Sequence, residues 1–204
     1  MPEIKTQDFS AASVAAIADP KLRRALDRVA SGFEVARLAR VAEATPKVWD
    51  EWRQEARDIK AHTIEHLDYY LDLLHTNVTA AGGHLHFAKD AVEANEIVAH
   101  IARTRNVKVA TKSKSMVSEE LALNPVLEAM GVEVWETDLG EYIIQLAEET
   151  PSHLVAPALH KSKEDVAELF TEKLGIPYDE DIYHMAATAR EVLRDKFMEA
   201  DLGI

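Results

Sequence analysis

Two lysines alternate with hydroxyl residues in one short segment of this chain, TKSKS. Lys112 and Lys114 would share one face of an extended chain, and Thr111, Ser113 and Ser115 alternate with them along the segment. Ammonium and hydroxyl groups between a strand and a helix N-terminus can donate hydrogen bonds to a phosphate or a carboxylate. The same composition is also typical of a solvated loop. The segment therefore has two interpretations at this point, a small-anion site and an ordinary surface loop.

A second polar segment, ETDLGE, carries three carboxylates, those of Glu136, Asp138 and Glu141, together with Thr137 and Gly140. These carboxylates can bind a cation, accept hydrogen bonds from the hydroxyl groups of a substrate, or pair with the two lysines of TKSKS. Acidic residues are also favoured at a helix N-terminus by the macrodipole. That alternative accounts for Asp138 and Glu141 but not for Glu136.

Two histidines, His153 and His160, flank a third short apolar run. His160 follows that run, where a general base or an anion-binding group would lie. His62 and His66 have the spacing of two metal ligands on a helix, but no third ligand accompanies them, so no metal site is predicted. The chain also lacks the motif of a nucleophile elbow, a Walker loop or a dinucleotide fingerprint. No catalytic residue is assigned.

TKSKS, ETDLGE and a third polar segment, PALHK, follow valine-rich runs that are too short for helices, at residues 107–110, 132–135 and 153–156. Helical patterns separate the runs. Alternation of strands and helices predicts a parallel sheet with crossover helices, and thus an α/β domain. Because ligands of such sheets bind at the carboxyl ends of strands, the polar segments are the candidate site.

A helical region precedes this domain. After a loose arm up to Ala18, apolar residues recur three or four apart from Asp19 to Ala44 and from Thr45 to Asn77. Gly82 and Gly83 interrupt the pattern. We therefore predict a helical N-terminal region over 1–80 and an α/β domain over 81–204.

Further elements of the α/β domain are predicted from local signals. They are a strand at His84–Phe87, helices at Asp90–Thr104 and Leu139–Glu149, a helix capped by Ser118, a helix with a Ser162/Asp165 capping box that ends at Gly175, a helix at Asp179–Ala200, and a final turn at 201–204.

Composition excludes several functional classes. The chain has 204 residues and a net charge of −13, which argues against binding to nucleic acid or to an anionic membrane. It has no cysteine, and therefore no disulfide and no thiolate ligand for a metal cluster. No apolar run approaches the roughly 20 residues of a membrane span, and no signal peptide is evident, so a cytoplasmic location is expected.

The ordered motifs KSKSM, ETDLGEYIIQL and PSH..AP.LHK resemble the lactate utilization domain family, and most closely the N-terminal part of its iron–sulfur members. The resemblance implies a Rossmann-like three-layer α/β/α fold, akin to ribose-5-phosphate isomerase and CoA-transferases. It also implies a component of bacterial L-lactate oxidation to pyruvate. Its signature positions in this chain are Lys112, Ser113, Lys114, Ser115, Glu136, Thr137, Asp138, Gly140, Glu141, His153 and His160.

Iron–sulfur members of that family continue into a cysteine-rich region that carries [4Fe–4S] clusters, and this chain has no cysteine. The resemblance therefore implies a truncated domain with no cofactor of its own, the clusters and the electron transfer belonging to the full-length protein. It implies sister lactate utilization proteins as partners. An unpaired sheet edge and the long helices favour a homodimer. The alternative function is a small-carboxylate or phosphate binding module, or a scaffold, without a redox role.

Overall fold

The computed structural model describes residues 8–153 and 155–204. Its elements, in chain order, are α1 (Phe9–Ala18), α2 (Pro20–Ala44), α3 (Pro46–Glu65), α4 (Leu67–Ala80), α5 (Ala91–Thr104), β1 (Val109–Lys112), α6 (Met116–Glu120), α7 (Leu123–Glu128), β2 (Glu133–Glu136), α8 (Leu139–Ala147), α9 (Lys163–Leu174), α10 (Ile182–Glu199) and β3 (Leu202–Gly203). Across the described residues, no helix is both long enough and apolar enough to cross a membrane.

The chain divides into two compact units. One consists of the residues up to Asp27 together with Ala88–Ile204, and the other of Arg28–Phe87. The first unit contains the sheet, and the second is helical. The predicted division at residue 80 stays a prediction, because contacts between residues need not coincide with domain boundaries.

The sheet has three parallel strands in the order β2-β1-β3, with β1 in the centre. Along β1, Lys112 is opposite Glu136 of β2, and Thr111 is opposite Gly203 of β3. Helices α5 and α7 pack on one face, while α8, α9 and α10 form the layer on the other. The predicted three-layer α/β fold with a helical N-terminal region is confirmed.

Each face of the sheet has its own hydrophobic core. On the first face, Ala110 and Val134 pack with Ala102 of α5 and Leu127 of α7. On the second, Trp135 adjoins a cluster of side chains from the three covering helices, namely Tyr142, Ile143, Ala167, Phe170, Met185, Ala189 and Leu193. Successive strand residues point to opposite faces, so Lys112 and Glu136 share the face of Ala110 and Val134. This alternation directs both charged side chains toward α6 and α7.

The run at residues 153–156 was predicted as a strand, and this is wrong for its described residues, which form bends and turns. Local hydrogen bonds hold them in that shape. The Nδ1 atom of His153 accepts from the backbone amides of Val155 and Ala156, at 3.0 and 3.1 Å. The amide and the hydroxyl of Ser152 both donate to the carbonyl of Pro157 at 3.0 Å. Such bonds compete with the ladder of a sheet.

The third strand lies instead at the end of the chain, where a turn was predicted. The carbonyl of Val109 accepts from the amide of Asp201 at 2.9 Å, and that of Thr111 accepts from the amide of Ile204 at 2.9 Å. The carboxylate of Asp201 also accepts from the amides of Lys108 and Val109, at 2.8 and 3.1 Å. These contacts join residues about 90 positions apart, which is why local patterns do not reveal β3.

Three further predictions need correction. The predicted loose arm contains α1, whose first turn is capped by Asp8, while residues 1–7 lie outside the described part of the chain. The helix predicted from Thr45 to Asn77 is divided at His66, a break for which the sequence has no glycine or proline. Residues 84–87 form no strand, since they belong to the helical unit and have no strand to pair with there.

The helix ends predicted from residues close together in the sequence agree better with the structure. The capping box of Ser162 and Asp165 is confirmed, and Gly175 ends α9 with a φ of 68°. Asp90 caps α5 as expected for the helix predicted there. Ser115, rather than Ser118, caps α6, so the cap lies three residues earlier than predicted.

Candidate functional site

The carboxyl ends of β1 and β2 lie side by side, and the chain leaves them toward opposite faces of the sheet. After β1 it enters α6 and α7 on one face, and after β2 it enters α8 on the other. Open α/β sheets bind their ligands at this carboxyl edge of the strands. The segments TKSKS and ETDLGE both lie at this edge, so the sheet brings together the two polar segments singled out from the sequence.

Lys112 is the centre of a buried ionic network, and its side chain is 1% exposed. Its ammonium contacts Glu136 Oε1 at 2.8 Å and forms an ion pair with Glu119 of α6. Burial by itself lowers the pKa of Lys112, but the hydrogen bonds to Glu119 and Glu136 outweigh it and raise the pKa above its ordinary value. Lys112 is therefore charged at neutral pH.

Glu136 is held by residues that the sequence did not single out. Asn124 Nδ2 donates to Glu136 Oε1 at 2.6 Å, and the backbone amide of Glu136 donates to Gln145 Oε1 at 3.0 Å. Within the described part of the chain, Glu136 Oε2 and Asn124 Oδ1 are buried and accept no hydrogen bond. No local pattern marks Asn124 or Gln145, because each reaches Glu136 only through the packing of its helix.

Lys114 forms a second and more exposed group with the acids of α8. Its ammonium lies 3.2 Å from Glu141 Oε1 and 3.6 Å from Asp138 Oδ2. Asp138 Oδ2 also caps α8 by accepting from the amide of Glu141 at 3.3 Å. Burial raises the pKa of Glu141 and outweighs the opposing effect of Lys114. The surroundings of this carboxylate thus disfavour its negative charge.

The hydroxyl groups of the two segments already form hydrogen bonds with backbone atoms. Thr137 Oγ1 donates to the carbonyl of Lys112 at 3.0 Å, and Ser113 Oγ donates to the carbonyl of Ile204 at 3.3 Å. Ser115 Oγ accepts from the amide of Ser118 at 3.3 Å. These side chains hold the strand ends in place.

Of the interpretations left open for the two segments, the geometry matches ion pairing between them. Two lysines and four carboxylates meet here, so the cluster has a formal charge of −2. Both ammonium groups are engaged by carboxylates. A small anion would have to displace these contacts, whereas a hydrogen-bond donor would find unpaired acceptors on Glu136 and Asn124.

His153 and His160 make their hydrogen bonds within the loop that follows α8. His160 Nδ1 lies 2.9 Å from Ser152 Oγ, and its Nε2 lies 2.9 Å from Glu149 Oε2. Lys161 also pairs with Glu149. These hydrogen bonds lower the pKa of Glu149, that from His160 most and that from Lys161 next. The loop approaches ETDLGE at Gly140, where an added Cβ would lie 3.0 Å from the Pro157 ring.

A cavity of about 300 Å³ lies beside this loop, in the unit that contains the sheet. Its seven described lining residues are Asp19, Lys21, Leu22, Ser152, His160, Lys161 and Asp165. The ammonium of Lys21 pairs with Asp165 of α9, which joins the two parts of the wall. Burial raises the pKa of Asp165, but hydrogen bonds from Lys21 and Ser162 outweigh it and lower the pKa to about 2. Of these residues, only His160 was predicted from the sequence as a candidate site residue.

The described residues contain no group of three histidine, aspartate or glutamate side chains that could hold a metal ion. His62 and His66 do lie together, with ring centroids 4.4 Å apart, and Tyr70 contacts His62 at 6.0 Å. These rings form an aromatic cluster on the helical unit.

Comparison with known proteins identifies the family. The family model described as the LUD domain matches residues 71–204, which is more than half of the chain and includes every candidate site residue. The chain belongs to the LUD domain family. This confirms the resemblance carried by the KSKSM, ETDLGEYIIQL and PSH..AP.LHK motifs. Both the strand-end cluster and the His160 loop are thus parts of a LUD domain.

Individual relatives of this LUD protein have the same name and the same sequence identity to it. Proteins named lactate utilization protein B from Bacillus thuringiensis, Bacillus cereus and Bacillus anthracis are each 47% identical to it over 156 residues. The match covers 76% of this chain and 33% of each relative, so the chain spans about a third of the length of these curated proteins. No solved structure gives a significant match.

Proposed function

We propose that this LUD domain is part of an electron-transfer component of bacterial L-lactate oxidation to pyruvate. The observation that carries the proposal is the 47% identity, over 156 residues, to proteins named lactate utilization protein B. The oxidation of lactate to pyruvate releases two electrons and two protons, which the whole system must transfer to an acceptor.

The residues of this chain do not fit a [4Fe–4S] cluster. There is no cysteine in the sequence, and the described residues contain no group of three acidic or histidine side chains that could hold a metal ion. We therefore assign no electron-transfer step to the chain. Its proposed contribution is the LUD domain itself, which presents the strand-end cluster and the His160 loop to the substrate or to the partner proteins of the pathway.

The proposal predicts a specific growth defect. Disrupting the gene in its own host should abolish or strongly slow growth on L-lactate as the sole carbon source, because lactate could no longer be oxidised to pyruvate. Growth on pyruvate, which enters metabolism after this step, serves as the matched control and should be unchanged. Unimpaired growth of the disrupted strain on L-lactate would contradict the proposal.

We also propose that the chain forms a homodimer through its helical unit. The structure describes all of Arg28–Phe87, and none of these residues is buried. Large apolar side chains on it are more than half exposed, including Phe33, Trp52, Ile59 and Ile64. So much uncovered apolar surface is typical of a face that binds another protein.

Light scattering at micromolar concentration should therefore give twice the mass of the chain. Replacing both Trp52 and Ile59 with glutamate should shift the mass to that of a monomer, because two charges would be placed on the apolar face. A matched control is Val155→Glu, which alters an exposed apolar residue of the other unit. A monomeric mass for the unaltered chain would rule out the dimer.

A further inference from the structure

We propose that Gln145 of α8 closes the outer edge of β2, and that without this side chain the edge pairs with β2 of a second copy of the chain. The inference goes beyond the proposed function, because it assigns an interaction surface to the sheet and involves no step of lactate oxidation. It is also independent of the homodimer proposed for the helical unit.

The strand β2 lies at one edge of the sheet. It pairs with β1 on one side, and no strand in the described part of the chain pairs with it on the other. The amides of Glu133 and Thr137 donate to carbonyl groups in and next to β1. Because backbone groups alternate in direction along a strand, the N–H and C=O groups of Val134 and Glu136 point away from β1. Such an edge can pair with a strand of another chain.

The side-chain amide of Gln145 occupies this edge. Its Nε2 donates to the carbonyl of Val134 at 2.7 Å, and its Oε1 accepts from the amide of Glu136 at 3.0 Å. A residue of a parallel neighbouring strand would form the same two hydrogen bonds, because its N–H and C=O groups would meet the same two backbone groups. Gln145 therefore takes the place of a strand residue opposite Trp135.

The packing of α8 holds Gln145 in this position. Only two residues connect β2 to α8. Asp138 caps the helix by accepting from the amide of Glu141, and Tyr142 and Ile143 are buried in the hydrophobic core of the second face. A short connection, a cap and two buried side chains thus hold α8 beside the strand and direct the Gln145 amide to its edge.

The opposite edge of the sheet is formed by β3, which needs no closure of this kind. β3 has two residues, whereas β2 has four. A very short edge strand offers few backbone groups for pairing, which by itself protects a sheet from the addition of another strand. The strand β2 is long enough to pair, so the Gln145 amide decides whether its edge is open or closed.

A second copy of the chain fits the edge that Gln145 would leave. Two identical edges can pair antiparallel about a two-fold axis, with each copy presenting the same backbone groups. Both carboxylates of β2 are paired with ammonium groups of their own chain, Glu133 with Lys196 at 3.2 Å and Glu136 with Lys112 at 2.8 Å. Because these charges are compensated, they do not oppose the approach of a second β2.

Light scattering of Gln145→Leu tests the pairing in a chain that also carries Trp52→Glu and Ile59→Glu, which disable the apolar face of the helical unit. Leucine is similar in size to glutamine but forms no hydrogen bond. We therefore expect the mass to rise from one chain to two with increasing protein concentration. The matched control is Gln54→Leu, which makes the same change on α3, where the amide donates to Asp58 at the surface, and should leave the mass unchanged. A mass of one chain for Gln145→Leu at every concentration overturns the pairing.

Hydrogen exchange of the Glu136 amide, measured by NMR in the same variants, tests the closure itself. At low concentration this amide should exchange roughly fivefold faster or more in Gln145→Leu, because it loses its hydrogen bond to the side chain. Its protection should return as two copies pair, which distinguishes strand pairing from association of unfolded chains. Unchanged exchange at low concentration overturns the closure, and dimers without renewed protection overturn the pairing.

A measurement on the unaltered chain covers the case in which Gln145→Leu fails to fold. The Nε2 protons of Gln145 should exchange with solvent more slowly than those of Gln54, because the Gln145 amide bonds to the backbone of a partly buried strand edge and the Gln54 amide to an exposed carboxylate. Equal exchange of the two side-chain amides would mean that Gln145 does not occupy the edge in solution, and the inference would be overturned.

Discussion

Replacing Lys112 with methionine is expected to lower the free energy of unfolding by about 3–5 kcal/mol, the range for loss of one partner from a buried ion pair. Lys112 and Glu136 are 1% and 4% exposed. Without the ammonium, Glu136 would keep only the Asn124 amide as a partner for Oε1 and would have to be buried as an uncompensated charge. Urea unfolding monitored by circular dichroism at neutral pH measures the change.

A matched control is Lys173→Met, because Lys173 also pairs with a glutamate but does so at the surface, with Glu148. Exposed pairs of this kind contribute about 0–1 kcal/mol. The double variant Lys112→Met/Glu136→Gln should regain part of the loss, since it removes the buried negative charge as well. If Lys112→Met proved no more damaging than Lys173→Met, the buried network would not be a major source of stability.

The ion pair between Lys21 and Asp165 should make the stability of the protein depend on pH in the acidic range. The pKa of Asp165 is about 2 in the folded protein, below the ordinary value of 3.8. Because the pKa of Asp165 is lower in the folded than in the unfolded protein, its ionised carboxylate stabilises the fold. This contribution to the free energy of unfolding is complete above pH 4 and is lost as the pH falls toward 2. The shift corresponds to about 2 kcal/mol, of which roughly half should be lost by pH 3.

Unfolding free energies at pH 5 and pH 3 test this expectation. Other carboxylates titrate in the same range, so the informative quantity is the difference between the unaltered chain and Asp165→Asn, which should narrow by about 1 kcal/mol from pH 5 to pH 3. The difference in unfolding free energy between the unaltered chain and Lys21→Met should also narrow from pH 5 to pH 3, because Asp165 loses its ammonium partner in that variant. If the unfolding free energies of the unaltered chain and Asp165→Asn changed equally with pH, the pKa of Asp165 would not be lowered in the folded protein.

Much of the strand-end site was predictable because parallel strands bring their carboxyl ends to one edge of the sheet. The short runs before TKSKS and ETDLGE were enough to infer that Lys112 and Glu136 lie near each other. Pairing of the lysines with the acids was one of three alternatives. The sequence could not decide among them, because the choice depends on whether the packing of α6 brings Glu119 to Lys112 and that of α7 brings Asn124 to Glu136.

The His160 site was predicted only in part. His160 was recognised as a polar residue after an apolar run, but that run is a loop and not a strand. Its partners Ser152 and Glu149 lie eight and eleven positions away, farther than the three or four positions at which side chains of one helix contact each other. The irregular backbone of this loop brings them together, and such backbone is not encoded by a repeating pattern.

The sequence by itself determined the family, the α/β class, and the helix ends that depend on residues three or four apart, such as the Ser162/Asp165 capping box. Tertiary structure decided the third strand, which pairs residues about 90 positions apart, and the cavity, whose walls Lys21 and Asp165 join across 144 positions. The physical reason is the separation along the sequence between the residues that contact each other. A cap or an amphipathic helix is specified by its neighbours, whereas contacts between distant segments exist only after the whole chain has packed.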